Sequence, residues 1–371
     1  SLELAHKPYL DALARRGVMG LSCNVPQGME PSSAVACMSL MGYDPVKYYS
    51  GRGPIEARSL GVRLNPGEVA FRCNVVTVEK GLMKSYAAGH ITDAESHALI
   101  KTVNEKLGSD RVRFYPGVSY RHLMVVKNGE ELLQAECTPP HDIPDKPVVN
   151  FLPRGNGSLL LNELMSRSAA VLKDHPVNLA RIAAGKLPAT TLWLFWGGRK
   201  VDDLPTFAKV YNKKAAMTSG VDLLRGIAYL AGIDILTIPG VTGGLDTDYA
   251  AQIQGALRAL EDYDLVIVHV ESPDESGHMG SLPEKIKSIE QIDAHMVKAL
   301  SEYQKHPLRL LILPDHPTPV SVMTHTPDPV PFLLHGEGFD SSGAIGYSEA
   351  EGEKTGIVMA EGCSLMGKLV F

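Results

Sequence analysis

The sequence predicts an α/β protein, a mainly parallel sheet sandwiched by helices with a smaller α+β domain inserted into it. Three observations carry this. Two β-branched or leucine-rich runs, Leu265-Val266-Ile267-Val268-His269-Val270 and Leu310-Leu311-Ile312-Leu313, read as strands buried on both faces. Helical and strand-like segments alternate from about residue 159 onward, the signature of repeated βα units. Between about 56 and 147 the texture changes to short strands around one helix, ending in a proline-rich loop.

Taken in order, Pro8 suits the first turn of a helix that Gly17 ends, and Val18 to Cys23 is a short apolar strand candidate. The loop Pro26-Gln27-Gly28-Met29-Glu30-Pro31 precedes Ser32 and Ser33, which open a helix through Met41. Val69 to Val78 reads as a strand, a Thr92-capped helix follows, and two strands lie near Val112 to Tyr115 and His122 to Val126. The segment Cys137 to Pro147 holds four prolines and reads as a hinge or crossover. Beyond it the reading gives one long helical region (Leu159 to Ala184), a strand (Thr191 to Trp196) and a helix (Val221 to Ala231). A strand (Ile233 to Ile238) and a helix (Thr247 to Leu260) precede the first run, and a helix (Pro283 to Tyr303) precedes the second. The expected division is 1–55 with 148–371 as the core and 56–147 as the insert.

With 371 residues the chain is long enough for both domains. Its net charge of −6 argues against nucleic acid or an anionic membrane as the main partner. No apolar stretch reaches the roughly 18 residues of a membrane span. The five cysteines are scattered, odd in number and never spaced CxxC, which fits reduced thiols and a cytoplasmic location better than disulfides or a thiolate zinc site.

The chemistry sits after the two apolar runs. Asp274-Glu275-Ser276-Gly277-His278 follows the first, and Pro314-Asp315-His316-Pro317-Thr318-Pro319 with Thr324-His325 follows the second. Ligands at the carboxyl ends of strands occupy the usual site of open α/β sheets. Asp274, His278, Asp315, His316 and His325 are enough for most of a binuclear metal centre. Burying five such groups without a cation would be costly. Carboxylate and imidazole suit Mn, Zn or Co more than Ca, and two divalent ions about 4 Å apart neutralise a phosphoryl group and activate a nucleophile. That chemistry points to a metallo-phosphotransferase or hydrolase. Ser33, after a Pro/Gly loop at a helix start, suits a serine that becomes phosphorylated. Spacing alone favours the plainer reading, in which Ser32 or Ser33 caps the helix. No Walker-type Gly-rich lysine loop is present.

With these residues together, the chain resembles the cofactor-independent phosphoglycerate mutases of the archaeal type, within the alkaline phosphatase superfamily. The likeness also rests on Gly28-Met29-Glu30-Pro31, Leu40-Met41-Gly42-Tyr43-Asp44-Pro45, Tyr49-Ser50-Gly51-Arg52-Gly53-Pro54, Phe71-Arg72-Cys73-Asn74, Ala88-Gly89-His90-Ile91, Tyr120-Arg121-His122 and Val221-Asp222-Leu223-Leu224-Arg225-Gly226. It implies interconversion of 2- and 3-phosphoglycerate through a phosphoserine at Ser33. It also implies two divalent ions, Mn first with Zn, Co or Mg as alternatives, and no organic cofactor. One ion would be held by Asp274, His278 and His325. The other would be held by Asp315 and His316, next to Ser33 and a further Asp expected on a strand before Ser1. Arg52, Arg72, Asn74, His90, Arg121, His122 and Arg225 are the expected contacts to a small phosphorylated substrate, because the guanidinium fork binds phosphate and carboxylate bidentately. Ala34, Cys37, Ser281 and Cys363 depart from the common family pattern. The departures beside Ser33 keep a second activity in view, transfer of phosphate from ATP to homoserine, and a third reading is an inactive homologue that binds or regulates.

Overall fold

The computed structural model describes residues 1–200 and 204–371. Its strands in chain order are β1 (Val18–Ser22), β2 (Glu68–Glu79), β3 (Leu82–Ser85), β4 (Val112–Tyr115), β5 (Arg121–Lys127), β6 (Thr191–Arg199), β7 (Ala215–Thr218), β8 (Asp234–Ile235), β9 (Leu265–Val268), β10 (Leu310–Ile312), β11 (Val330–His335) and β12 (Val358–Met359). They fall into two units, one of Ser1–Tyr49 with Leu204–Phe371 and one of Ser50–Asp203. Among the described residues no helix is long and apolar enough to cross a membrane.

The first unit carries two sheets, ordered β10-β11-β1-β12 and β8-β7-β9. The second of these is parallel throughout, because the helices Asp222–Leu230 and Tyr249–Ala259 supply the crossovers that parallel pairing needs. The first departs from the expected mainly parallel sheet. Strand β10 runs antiparallel to β11, with Leu310 opposite His335, and β1 is antiparallel to β11 on its other side. Residues 313–329 contain no helix, so the chain returns directly and the next strand comes back reversed. The two apolar runs therefore lie in different sheets, and both are half-buried rather than buried. Helix Pro8–Ala14 packs Leu10, Leu13 and Ala14 with Met19 of β1, Leu333 of β11 and Val297.

In the second unit β2 is the spine. It pairs antiparallel with β5 from Glu68 to Asn74 and with β6 from Val69 to Val76, so its first ten residues are buried. β3 and β4 complete the sheet. The helix Asp93–Leu107 starts in a full capping box of Thr92 and Glu95 and buries Leu99, Ile100 and Val103 in the main core. The long helical region of the sequence reading is two helices, Ser158–Lys173 and Pro176–Ala183. Pro176 has no N–H to continue the first helix, and His175 Nδ1 instead caps the second by accepting from Val177 N at 3.2 Å.

This unit is longer than the 56–147 expected from sequence. β6, which the reading placed in the core domain, joins the β2 sheet, and the two helices before it belong to the same unit. Alternation of helix and strand indicates βα texture but does not say which sheet a strand joins. Nor is the proline-rich segment a crossover. It folds back on β3, with Met83 N donating to Lys146 O and Asp145 N to Met83 O.

Phe71 is 1% exposed in this core. Phe71→Ala is expected to lower unfolding stability by about 3–5 kcal/mol, read as an earlier urea midpoint at unchanged m-value. A loss below about 1 kcal/mol would mean that the core closes over the gap.

Candidate metal centre

After β9 the chain enters the helix Ser272–His278, with Pro273 and the acids Asp274 and Glu275 in its first turn. Asp274 and His278 are one helical turn apart and share a face, which places Asp274 Oδ2 3.1 Å from His278 Nε2. His325, in the loop before β11, closes the group. Its Nε2 lies 3.0 Å from His278 Nε2 and 3.3 Å from Asp274 Oδ1. The β10 loop is tied to the end of β1 by Asn24, whose Nδ2 donates to the carbonyls of Pro314 (3.2 Å) and Asp315 (2.8 Å). That loop presents His316 in a stack with His325, ring centroids 3.8 Å apart.

Hydrogen bonding at the far nitrogens fixes what the imidazoles offer. His278 Nδ1 lies 3.1 Å from Met323 O and His325 Nδ1 3.2 Å from Pro31 O. A carbonyl only accepts, so both Nδ1 atoms carry the proton and both Nε2 atoms turn a lone pair inward when the rings are neutral. Two lone pairs and a carboxylate thus converge within 4.8 Å. Ligands about 2.1 Å from a tetrahedral ion stand about 3.4 Å apart, close to the observed 3.0, 3.1 and 3.3 Å. The donor set fits a divalent cation. Burial pushes the Asp274 carboxyl up, but hydrogen bonds from His325 and Thr318 and the nearby imidazoles outweigh it and hold it at about 2. Burial likewise disfavours protonated His325, yet its bond to Asp274 and that carboxylate's charge raise its pKa. The pocket attracts positive charge, whether a proton or a metal.

Beside this group sits Ser33. Ser32 is the residue that caps the helix Ser33–Leu40, accepting from Val35 N at 3.5 Å. Ser33 is therefore free at the first helical position, and its Oγ is 3.0 Å from His316 Nε2. The His316 side chain is 1% exposed and its Nε2 is also 3.2 Å from Asp315 Oδ2. Burial lowers the His316 pKa, outweighing that carboxylate. Cys37, one turn after Ser33, donates its S–H to Asp315 Oδ2 at 3.4 Å. Burial first and Asp315 second push this thiol well above its usual range. It is a neutral donor rather than a thiolate. Among the described residues, Asp274, His278 and His325 form the three-ligand group, and Asp315 with His316 stands next to it as a pair. Sequence reading missed Asn24 and Thr318; their signal was only proximity to the motifs.

The second unit holds a separate cluster. Strand alternation puts Arg72 and Asn74 on one face of β2, and Arg121 joins them because it sits opposite Asn74. Arg72 Nε donates to Asn74 Oδ1 at 3.0 Å. Arg52 stacks over Trp196 at 4.0 Å. Trp196 lies at φ +49° where β6 slips register against β2, so the bulge aims its ring. Glu56, unremarked in the sequence, pairs with Arg72 and, at 3.0 Å, with Arg52. Three guanidinium groups face one carboxylate, so positive charge remains in excess. His122 does not join them. It sits opposite Cys73, on the other face of the sheet, accepts from Gly117 N at 3.0 Å, and burial holds it at about 3. His90 is exposed in a loop at φ +52°. Arg225 belongs to the first unit, 4.0 Å from Asp222.

Burial alone would raise the Glu56 pKa, but the charges of Arg72 and Arg52 lower it overall. A depressed folded pKa contributes stability above the unfolded glutamate value, about 4.3, which is lost as pH falls through the folded value. Glu56→Gln is expected to destabilise by about 3 kcal/mol at pH 7, with the gap to wild type narrowing in denaturant melts taken below about pH 4. A gap independent of pH would contradict the pairing.

Comparisons with known proteins agree in one direction. A family model described as 2,3-bisphosphoglycerate-independent phosphoglycerate mutase matches residues 14–178. A protein of that name from Methanosarcina acetivorans is 46% identical, covering 100% of this chain and 94% of its own. One from Ignicoccus hospitalis is 36% identical over 100% of this chain and 91% of its own. Among solved structures, a Pyrococcus horikoshii protein superimposes with a TM-score of 0.81 at 27% identity, covering 99% of this chain and 90% of its own. A cofactor-independent phosphoglycerate mutase from Thermoplasma acidophilum does so with 0.65 at 26% identity, covering 99% and 92%.

Proposed function

Because the chain belongs to the 2,3-bisphosphoglycerate-independent phosphoglycerate mutase family, we propose that it interconverts 2- and 3-phosphoglycerate through a phosphoserine at Ser33. The observation that carries this reading is Ser33 Oγ, free of capping duty and 3.0 Å from the buried imidazole of His316. In this reading the fold is of the alkaline phosphatase kind, with Asp274, His278 and His325 holding one divalent ion, manganese first, and Asp315 with His316 holding a second. Such ions would neutralise the phosphoryl oxygens and favour the ionised serine.

The protein's own groups then divide the work. His316, which would hold the second ion with Asp315, keeps the Ser33 hydroxyl beside it, with Oγ 3.0 Å from its Nε2. Ser33 Oγ bonds to phosphorus as the bond to the glycerate oxygen breaks, and that oxygen takes up a proton. The neighbouring glycerate hydroxyl then attacks the phosphoserine, loses its proton, and frees Ser33 again. The N-terminal turn of helix Ser33–Leu40 points its N–H groups at the transferred anion. Within the second unit, Arg52, Arg72, Asn74 and Arg121 would bind carboxylate or phosphate, and Arg225 is a candidate contact within the first. Glu56 and Trp196 hold two of those guanidinium groups in fixed planes. No observation favours homoserine as acceptor.

Phosphorus NMR of the manganese-loaded protein with 3-phosphoglycerate and no nucleotide tests the reading. The 2-phosphoglycerate resonance is expected to grow in. No conversion with the cation bound would reject it.

A further inference from the structure

We infer that Thr318 is a positioning residue that joins the three-ligand group to the Ser33–His316 pair, and that its hydroxyl sets the site's affinity for a divalent cation. The inference rests on the proposal that Asp274, His278 and His325 hold such a cation.

Thr318 is 3% exposed and touches both halves of the site. Its hydroxyl donates to Asp274 Oδ1 and lies 3.4 Å from His316 Nδ1. A hydroxyl has one proton. Spent on the Asp274 carboxylate, which can only accept, it leaves only lone pairs turned toward His316 Nδ1. The other nitrogen of that ring, Nε2, lies 3.0 Å from Ser33 Oγ. One hydroxyl thus orients a ligand carboxylate and lies against the imidazole beside the nucleophile.

The threonine is itself held in place. Lys285 Nζ donates to its carbonyl at 2.6 Å. Pro317 and Pro319 flank it and limit the backbone on both sides. Gly277, between Asp274 and His278 on their helix, packs so tightly on Thr318 that a Cβ there would overlap its carbonyl and methyl. The helix carrying two candidate ligands and the loop carrying the other three therefore meet at this residue. Among the described residues, Thr318 is the one side chain outside the candidate ligands that hydrogen-bonds to Asp274.

The test is cobalt(II) titration of the metal-free protein, followed by visible absorbance, with thermal unfolding of the metal-free form alongside. Thr318→Val keeps the shape and removes the hydroxyl. It is expected to weaken cobalt binding about 10- to 100-fold, with little change in the metal-free melting temperature. Thr318→Ser should restore binding to within a few-fold of wild type. Thr318→Ala removes the hydroxyl without adding bulk and must show the same weakening, which guards against a valine variant that does not fold. Wild type and both hydroxyl-free variants binding cobalt equally would overturn the inference alone. Wild type taking up no cobalt would overturn the cation reading and this inference with it.

Discussion

Ser33→Ala is expected to abolish phosphoglycerate interconversion, by more than about 10⁴-fold in turnover, while bound metal stays at the wild-type level. The separation of the two readouts follows from geometry. Ser33 touches His316 Nε2 through its Oγ alone, and the Asp274, His278 and His325 atoms contact one another without it. The helix should also survive, because its cap belongs to Ser32, and alanine is a better helix former than serine. The check is a coupled activity assay beside metal analysis of the same preparation. Substantial residual turnover would move the nucleophile elsewhere. Ser32→Ala, by contrast, removes a cap and is expected to cost about 1 kcal/mol of stability with chemistry retained.

His325→Ala is expected to remove both the cation and the activity, the latter by about 10³-fold or more, since a metal supplies several kcal/mol to such transition states. His325 is the residue whose loss should matter most to assembly. It contacts Asp274 and His278, stacks on His316, and is anchored by Pro31 O two residues before Ser33. Its removal leaves one carboxylate and one imidazole, too few to hold a divalent ion against water. Metal content by elemental analysis and turnover in added manganese are the measurements. A variant that keeps its metal and turns over normally would show that the three residues are a hydrogen-bonded cluster instead.

These outcomes bear on what the chain discloses before it is folded. The acid and imidazole residues after Val270 and Leu313 could be read as a group because apolar runs that precede polar motifs mark strand ends, and strand ends are where such groups converge. Their pairing was less legible. Spacing put Asp274 and His278 one turn apart, and they are, but the return of His325 to them depends on a helix-free loop of no particular pattern. Spacing alone could not choose between Ser32 and Ser33 as the cap, and only the resemblance pointed to Ser33 as the nucleophile. Either can cap, and only the folded loop shows which one does.

Long-range pairing was hidden for a similar reason. A strand such as Thr191 to Trp196 is apolar whether it joins one sheet or another, so its partnership with β2 was invisible. His122 and Arg121 illustrate the cost of a one-residue step. In a strand with period two, neighbours face opposite sides, and a motif read as a block placed both on the substrate. Glu56 went unnoticed because a lone glutamate in a helix is ordinarily solvated. Here it is 12% exposed between two arginines, and nothing in the sequence marks it.

The most direct test of the account is the fate of the phosphoryl group. Manganese-loaded protein turning over 3-phosphoglycerate should be quenched in acid, digested and mapped by mass spectrometry. The account predicts one phosphorylated peptide, modified at Ser33, and none from the Ser33→Ala variant. Turnover with no phosphopeptide, or with the phosphate on another residue, would contradict it.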